Sequence, residues 1–474
     1  MTTPMTAESM ESSEDVIAGL VGRARAAMEA FDNTNQEAID EAVTALAWSI
    51  YKPENARRLA ELAVESTGLG NVEDKVTKNQ RKTFGTLRDL MRVKTTGVIE
   101  EQPELGLVKY GKPVGVVAAI TPSTNPAATP VNKAMMAVKG GNAVIIAPSP
   151  AGYAATAATV DGMRAELEKI GAPADLVQIV PAPVDRERTA VLMAAVDLIV
   201  CTGSQNNVRK AYSSGTPAIG VGAGNVPVII DESADLTSAA EKITASKIFD
   251  NATSCSSENS VIIVDEVFDA AIDALTRAGG YMTTSEDGRR VVERLWEGGK
   301  LNRRVIAKDA AILADVFELP DEAKGVRFIM VEETGVGPAY PLSGEKLSLV
   351  LTVYRARDFR HAQELAGDIL EFQGKGHSLG LHTNLLERAR KLAEEMPVVR
   401  VLVNQAHTFA NGGGFDTGLP FTLSMGCGSW GGNSITENLN YRHFINVTHL
   451  VRSVAEDKPE EADLFGKYWE KHGQ

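Results

Sequence analysis

Cys255 lies in a run of small polar residues, Asn251-Ala252-Thr253-Ser254-Cys255-Ser256-Ser257-Glu258-Asn259, between a helical stretch and an apolar run that begins at Ser260. A thiol on such a connection stands where loops carry functional groups. Deprotonated, it is a strong nucleophile toward a carbonyl carbon. A buried small hydrophobe is the other fate of a free cysteine, and the local residues leave both readings open. Cys201 closes an apolar run and Cys427 sits between Gly426 and Gly428, so both read as packing. Thr202-Gly203-Ser204 follows a β-rich run and opens a helical one, an order that turns free amides and the Ser204 hydroxyl toward an anion. A plain helix cap by Thr202 or Ser204 is compatible with that role. Gly220-Val221-Gly222-Ala223-Gly224 resembles a dinucleotide fingerprint, but it precedes a strand, whereas the fingerprint needs a helix after its glycines. It reads better as a tight loop that brings backbone close to a flat ligand. Gly412 to Gly414 reads as a flexible loop.

These groups need elements to hold them. Ile17, Leu20, Val21 and Ala24, then Val43, Leu46, Ala47 and Ile50, recur at helical spacing, and Leu87, Leu90 and Met91 continue the pattern. Gly97 to Tyr110 predicts a hairpin, and Val114 to Ile120 a buried strand. Short apolar runs (Ala143 to Ile146, Leu176 to Val180, Leu198 to Cys201, Val226 to Ile230) then alternate with helical stretches such as Ala151 to Ile170 and Arg186 to Ala195. A second series follows at Ser260 to Val264, Ser348 to Tyr354, Ser378 to His382 and Val399 to Val403. Alternation of this kind predicts an α/β fold of mostly parallel sheets. The expected division is residues 1–96 and 112–240 in one lobe, 241–439 in a lobe carrying Cys255, 97–111 and 440–454 as strand elements outside both, and 455–474 as a charged tail.

At 474 residues the chain suits two or three lobes, and its 23% charged and 44% hydrophobic composition is that of a globular protein. A net charge of −14 argues against a nucleic-acid partner and requires local donors for any anionic ligand. Three scattered cysteines form no disulfide framework and no metal-binding spacing, so a cytoplasmic setting and no metal are expected. Met1 to Asp15 is polar and lacks the apolar core of a leader, and no run is long enough to span a bilayer.

Taken together, Thr121-Pro122-Ser123-Thr124-Asn125-Pro126, Gly141-Asn142-Ala143, Thr202-Gly203-Ser204, the Gly220 loop, Cys255 and Glu345-Lys346-Leu347-Ser348 resemble the aldehyde dehydrogenase superfamily in order and type. Gly374-Lys375-Gly376-His377-Ser378 and Gly426-Cys427-Gly428-Ser429-Trp430-Gly431-Gly432-Asn433 resemble its CoA-acylating branch. The resemblance runs from about Gly115 to Val451. It implies an aldehyde dehydrogenase-like fold, with a Rossmann-type cofactor lobe, an α/β catalytic lobe and a small oligomerisation hairpin. It implies that Cys255 attacks the aldehyde, that Asn125 donates to the oxyanion with the Cys255 amide, and that His377 assists acyl transfer to CoA. It further implies that NADP or NAD contacts Thr121, Pro122, Ser123, Thr124, Ser149, Pro150, Thr202, Gly203, Ser204, Gly220, Val221 and Gly222, with Glu345 on the nicotinamide ribose.

In hydrolytic relatives a glutamate activates water against the thioester; Gly220 stands at the corresponding place here, which leaves a thiol as the better acceptor. Ala147 and Pro150 replace the lysine and glutamate that grip the adenosine ribose in many hydrolytic relatives. A 2′-phosphate is therefore tolerable, with Ser149 as a donor. Asn404 to Phe409, Phe415 to Pro420 and Asn440 to Phe444 resemble a subgroup that acts on sulfoacetaldehyde. Arg442, His443 and His407 are the candidates for its sulfonate. Acetaldehyde, propanal, a hydrolytic dehydrogenase and an inactive scaffold remain alternatives. The resemblance implies a homodimer or homotetramer, with 97–111 and 440–454 as the oligomerisation elements, and with Gln474 as the last residue no fused iron-dependent alcohol dehydrogenase is expected.

Overall fold

The computed structural model describes residues 12–32 and 34–474; residues 1–11 of the polar stretch at Met1 to Asp15 lie outside the described residues. Four helices come first, Ser13–Phe31, Gln36–Tyr51, Pro53–Thr67 and Val72–Met91. Ser12, Asn35 and Asn71 each accept a hydrogen bond from a first-turn amide, and Pro53 opens the third helix, so every start is stabilised locally. Of the predicted stripes, Ile17, Leu20 and Ala24 are buried and Val21 partly so, and Val43, Leu46, Ala47 and Ile50 are all buried.

These helices share one core with a parallel five-stranded sheet. Its spatial order is Val177–Ile179, Ala143–Ala147, Val116–Ile120, Leu198–Cys201, Ala218–Gly220. The first strand in sequence lies in the middle, and the chain winds outward from it in both directions. That is the doubly wound arrangement, and it leaves a crevice beyond the carboxyl ends of the central strands. Register lines those ends up: Ile120 pairs with both Ala147 and Cys201, and Cys201 with Gly220.

A second parallel sheet has seven strands, in the order Gly280–Met282, Phe328–Glu332, Val350–Ala356, Glu258–Val264, Val226–Ile230, Leu379–His382, Val401–Val403. Val228, Val261 and Val353 face one apolar cluster, while Ile229, Ile262 and Tyr354 face another. Burial on both faces is why these strands read as unbroken apolar runs. The Val226–Ile230 strand corrects the expected lobe boundary: it pairs with Glu258–Val264 and Leu379–His382, so the crossing falls in the loop after Gly220 and not near residue 240.

Gly97–Gln102 and Leu107–Pro113 form the expected hairpin, and Ile445–Val451 adds to it antiparallel. The charged tail folds into a helix, Glu461–His472, none of whose residues is buried. Gly412 to Gly414 is not a loose loop but a packed one, with the Gly412 carbonyl accepting a 2.8 Å hydrogen bond from Lys82.

Candidate active site

Between the two sheets opens a cleft of about 840 Å³. Thr121, Pro122, Ser123, Thr124, Asn125, Ser149, Pro150, Thr202, Gly203, Ser204, Val221, Gly222, Cys255 and Glu345 all line it. Those from Thr121 to Gly222 follow adjacent strand ends of the five-stranded sheet, so the register that aligns Ile120, Ala147 and Cys201 also brings these loops together, while Cys255 and Glu345 precede strands of the seven-stranded sheet. Ser204 caps the helix Gln205–Tyr212 through the Asn207 amide. Along the same wall the Thr121 hydroxyl and the Gln205 amide nitrogen are buried without a partner. Unspent donors beside a helix start suit the diphosphate and ribose hydroxyls of a dinucleotide.

Cys255 is half-buried on the opposite wall. The chain reaches it through three consecutive left-handed residues, Asp250, Asn251 and Ala252, at φ 50°, 53° and 59°. Non-glycine residues hold that conformation only where neighbours enforce it. Asp250 does so: its carboxylate accepts from Lys78 at 2.5 Å, Lys75 at 3.0 Å, Thr253 at 2.7 Å and the Asn71 amide at 3.0 Å. Burial works against that charge, yet Lys78 and Lys75 hold the carboxyl below its ordinary range. Lys78 also donates to the Asn125 side-chain oxygen at 2.8 Å. That contact makes the amide nitrogen the donor end of a side chain that lines the cleft together with Cys255; it meets the Thr124 hydroxyl at 3.4 Å.

Burial, with Glu345 and Cys427 adding to it, pushes the Cys255 thiol up to about 12. Glu345, hydrogen-bonded to the Gly224 backbone, is itself pushed up to about 8 by burial. Gly224 permits this crowding, because a Cβ there would stand 1.9 Å from the Cys255 carbonyl oxygen. Gly220 is closed to a side chain as well. A Cβ would lie 2.5 Å from Val208, and the Tyr212 hydroxyl accepts from the Gly220 amide at 2.9 Å. No carboxylate can project toward Cys255 from that position.

The pattern of the aldehyde dehydrogenase family matches residues 2–288 of the chain. The acylating sulfoacetaldehyde dehydrogenase of Cupriavidus necator is 50% identical over 474 residues, spanning 100% of this chain and 96% of that protein. The chain belongs to the aldehyde dehydrogenase family, in its acylating branch. Among solved structures, an acetylating aldehyde dehydrogenase from Geobacillus thermoglucosidasius superposes with a TM-score of 0.90 at 34% identity, covering 94% of this chain and 98% of that one. A propionaldehyde dehydrogenase from Rhodopseudomonas palustris, solved with bound CoA and an acylated cysteine, superposes at 0.82 with 25% identity, covering 92% and 97%.

Not every expected site residue of this aldehyde dehydrogenase reaches the cleft. Gly220 ends its strand behind the wall that Val221 and Gly222 form. His377 is also behind the wall, with Nδ1 2.7 Å from the Ser378 hydroxyl and Nε2 unpartnered. Burial, Arg400 and His407 keep its imidazole neutral. His407 is buried on the other side of the same hydroxyl, at 2.8 Å. Arg442 is exposed against Tyr441, and His443 pairs with Glu437 at 3.1 Å. The proposed sulfonate trio is therefore not assembled: one member is buried away from the cleft and two sit beside the Ile445–Val451 strand. The cations that do face the cleft region, Lys78, Arg81 and Lys82, went unread. Their signal was the spacing Lys75–Lys78–Lys82 along one helix face, which in sequence looks like a solvated stripe.

Proposed function

We propose that the protein oxidises sulfoacetaldehyde with NADP or NAD and transfers the acyl group to CoA, yielding sulfoacetyl-CoA. The observation that carries this reading is a cleft thiol, Cys255, flanked by an oriented amide, Asn125, with the place for a water-activating glutamate closed at Gly220. The substrate follows the 50% identity to the Cupriavidus enzyme.

In this reading Cys255 loses its proton to solvent in the cleft and the thiolate attacks the aldehyde carbon. Asn125 and the Cys255 amide donate to the resulting oxyanion, donors typically worth about 3 kcal/mol each. When bound, the dinucleotide supplies the hydride acceptor, and the unpartnered Thr121 and Gln205 groups would help hold it. Cys255 is left as a thioester. The CoA thiolate attacks that carbon, and Cys255 departs as a thiolate. Glu345 would turn from Gly224 to the nicotinamide ribose, and His377 would contribute by positioning the segment around Ser378 rather than by touching substrate. Ser149, with no carboxylate at Pro150, favours a 2′-phosphate.

The test is absorbance of the reduced dinucleotide with sulfoacetaldehyde, acetaldehyde and propanal, each with and without CoA. CoA-dependent turnover led by sulfoacetaldehyde is expected; CoA-independent turnover, or a preference for unsulfonated aldehydes, overturns the reading. A homodimer or homotetramer built on the three-stranded sheet is part of the same proposal, since Val447, Leu450 and Val451 stand exposed on its outer strand. A reducing, cytoplasmic setting fits the three free cysteines. Among the described residues no helix is long and apolar enough to cross a membrane.

A further inference from the structure

Beside the thiol, the cleft continues into a recess of about 30 Å³ lined by Lys78, Arg81, Lys82, Asn125 and Ser254, with Phe249, Thr408, Phe409 and Leu423 closing it. Asn125, Ser254 and Lys82 belong to both spaces, so whatever fills the recess lies next to Cys255. The volume is roughly twice what one water needs, and suits a compact group of a few heavy atoms.

The charge inside it is unusual. Lys78 is committed to Asp250, Asn125 and Thr253. Lys82 is nine-tenths buried and spends a single hydrogen bond, to the Gly412 carbonyl at 2.8 Å. Arg81 stands over the rings of Phe409, Phe415 and Phe421 at 5.8, 5.2 and 5.6 Å, and its Nε is buried with no partner. Among the described residues neither Arg81 nor Lys82 has a carboxylate within salt-bridge distance; Asp416 acts on Arg81 only from further off. Buried cations without acids are costly unless an anion arrives to pair with them. Burial, with Arg81 and Lys78 nearby, lowers Lys82 to about 7, as expected of an ammonium short of a counterion.

We infer that Arg81 and Lys82 determine substrate specificity by binding the sulfonate of the aldehyde in this recess, its carbonyl carbon then lying at Cys255. The inference rests on the proposed function above and replaces Arg442, His443 and His407 as the anion site. A tetrahedral head whose single negative charge is shared by three oxygens can take the planar Arg81 fork and two unspent Lys82 donors together. The aromatic rings hold the guanidinium in place, so little freedom is lost on binding.

The experiment measures kcat/KM for sulfoacetaldehyde and for propanal in the wild type, Arg81→Gln, Arg81→Lys and Lys82→Met, and inhibition of propanal oxidation by ethanesulfonate, an unreactive sulfonate. In the wild type sulfoacetaldehyde leads and ethanesulfonate competes with propanal. Each neutral variant lowers the sulfoacetaldehyde-to-propanal ratio by about tenfold or more, the loss of one charge-assisted hydrogen bond, chiefly through KM. Ethanesulfonate inhibition weakens in parallel, and Arg81→Lys recovers part of both. An unchanged ratio and unchanged inhibition in the neutral variants, with the wild type still preferring sulfoacetaldehyde, overturn the recess while the substrate reading stands. Conversely, a wild type that ethanesulfonate inhibits through Arg81, yet that does not prefer sulfoacetaldehyde, overturns the substrate reading and upholds the anion site. Arg81 is partly exposed, so its variants keep the test open if Lys82→Met fails to fold.

Discussion

A thiol pushed up to about 12 is a poor nucleophile at neutral pH. Burial is the main cause, and Glu345 the next. Glu345 is neutral below about 8, so its charge opposes the thiolate only above that pH. Alkylation of Cys255 by iodoacetamide in the unliganded protein should therefore climb with pH without a plateau near neutrality. Glu345→Gln should move that climb to lower pH, most visibly above pH 8; an unmoved profile would mean that Glu345 does not restrain the thiol. Cys255→Ala should abolish CoA-dependent turnover and leave no acyl-enzyme detectable by mass spectrometry after aldehyde and NADP are added. Asn125→Ala should lower kcat by about 10²- to 10³-fold, the usual effect of losing one oxyanion donor. Cys255 and Asn125 were legible because their residue types announce chemistry. Lys78 and Asp250 were not, because their role is to orient Asn125 and the strained turn, and only the fold brings residues 78, 125 and 250 within hydrogen-bond distance.

At the scale of elements, most strands were legible because burial on both faces leaves continuous apolar runs, and the Arg186–Ala195 helix and Leu198–Cys201 strand match their predicted bounds. Gly280–Met282 and Phe328–Glu332 were missed: one is three residues long, and both lie toward one edge of the seven-stranded sheet. The lobe boundary was misplaced for a related reason, since nothing within Val226–Ile230 says which sheet it will join. Helix Val72–Met91 shows the opposite failure. Its buried face carries Lys75, Lys78, Asn79 and Lys82, and only Leu90 among the predicted apolar positions is fully buried. Polarity there serves the site, and the apolar pattern is sacrificed. Gly220 gives an element-level test. Gly220→Glu would recreate the carboxylate of hydrolytic relatives, but the strand end is packed against Val208 and Tyr212. The variant should lose about 1–3 kcal/mol of stability by overpacking in denaturant titration, without gaining aldehyde oxidation that proceeds in the absence of CoA. CoA-independent turnover in a stably folded Gly220→Glu protein would show instead that this position does decide the acceptor.

For the molecule as a whole, the cleft and the exposed apolar surface lie on different elements. The cleft lies between the carboxyl ends of the five-stranded sheet and the amino ends of the seven-stranded one, while Leu450, Val451 and Val454 stand out from and just beyond the three-stranded sheet at 43%, 69% and 51% exposure. The helix that follows, Glu461–His472, has Leu464 and Phe465 followed one turn later by Tyr468 and Trp469, with Phe465 stacked on Trp469 at 5.8 Å. A helix of this length is marginal in water on its own and usually depends on packing of an apolar face. The described chain supplies no such packing, so a second copy is the natural cover for strand and helix alike. Replacing Val451 and Leu464 together with glutamate places charges on that cover, and analytical ultracentrifugation should then show a smaller species than the wild type. Because neither residue lines the cleft, the pH profile of Cys255 alkylation should stay with the wild type. An unchanged sedimentation coefficient would remove this face as the interface; a smaller species with an altered thiol profile would show that assembly also shapes the site.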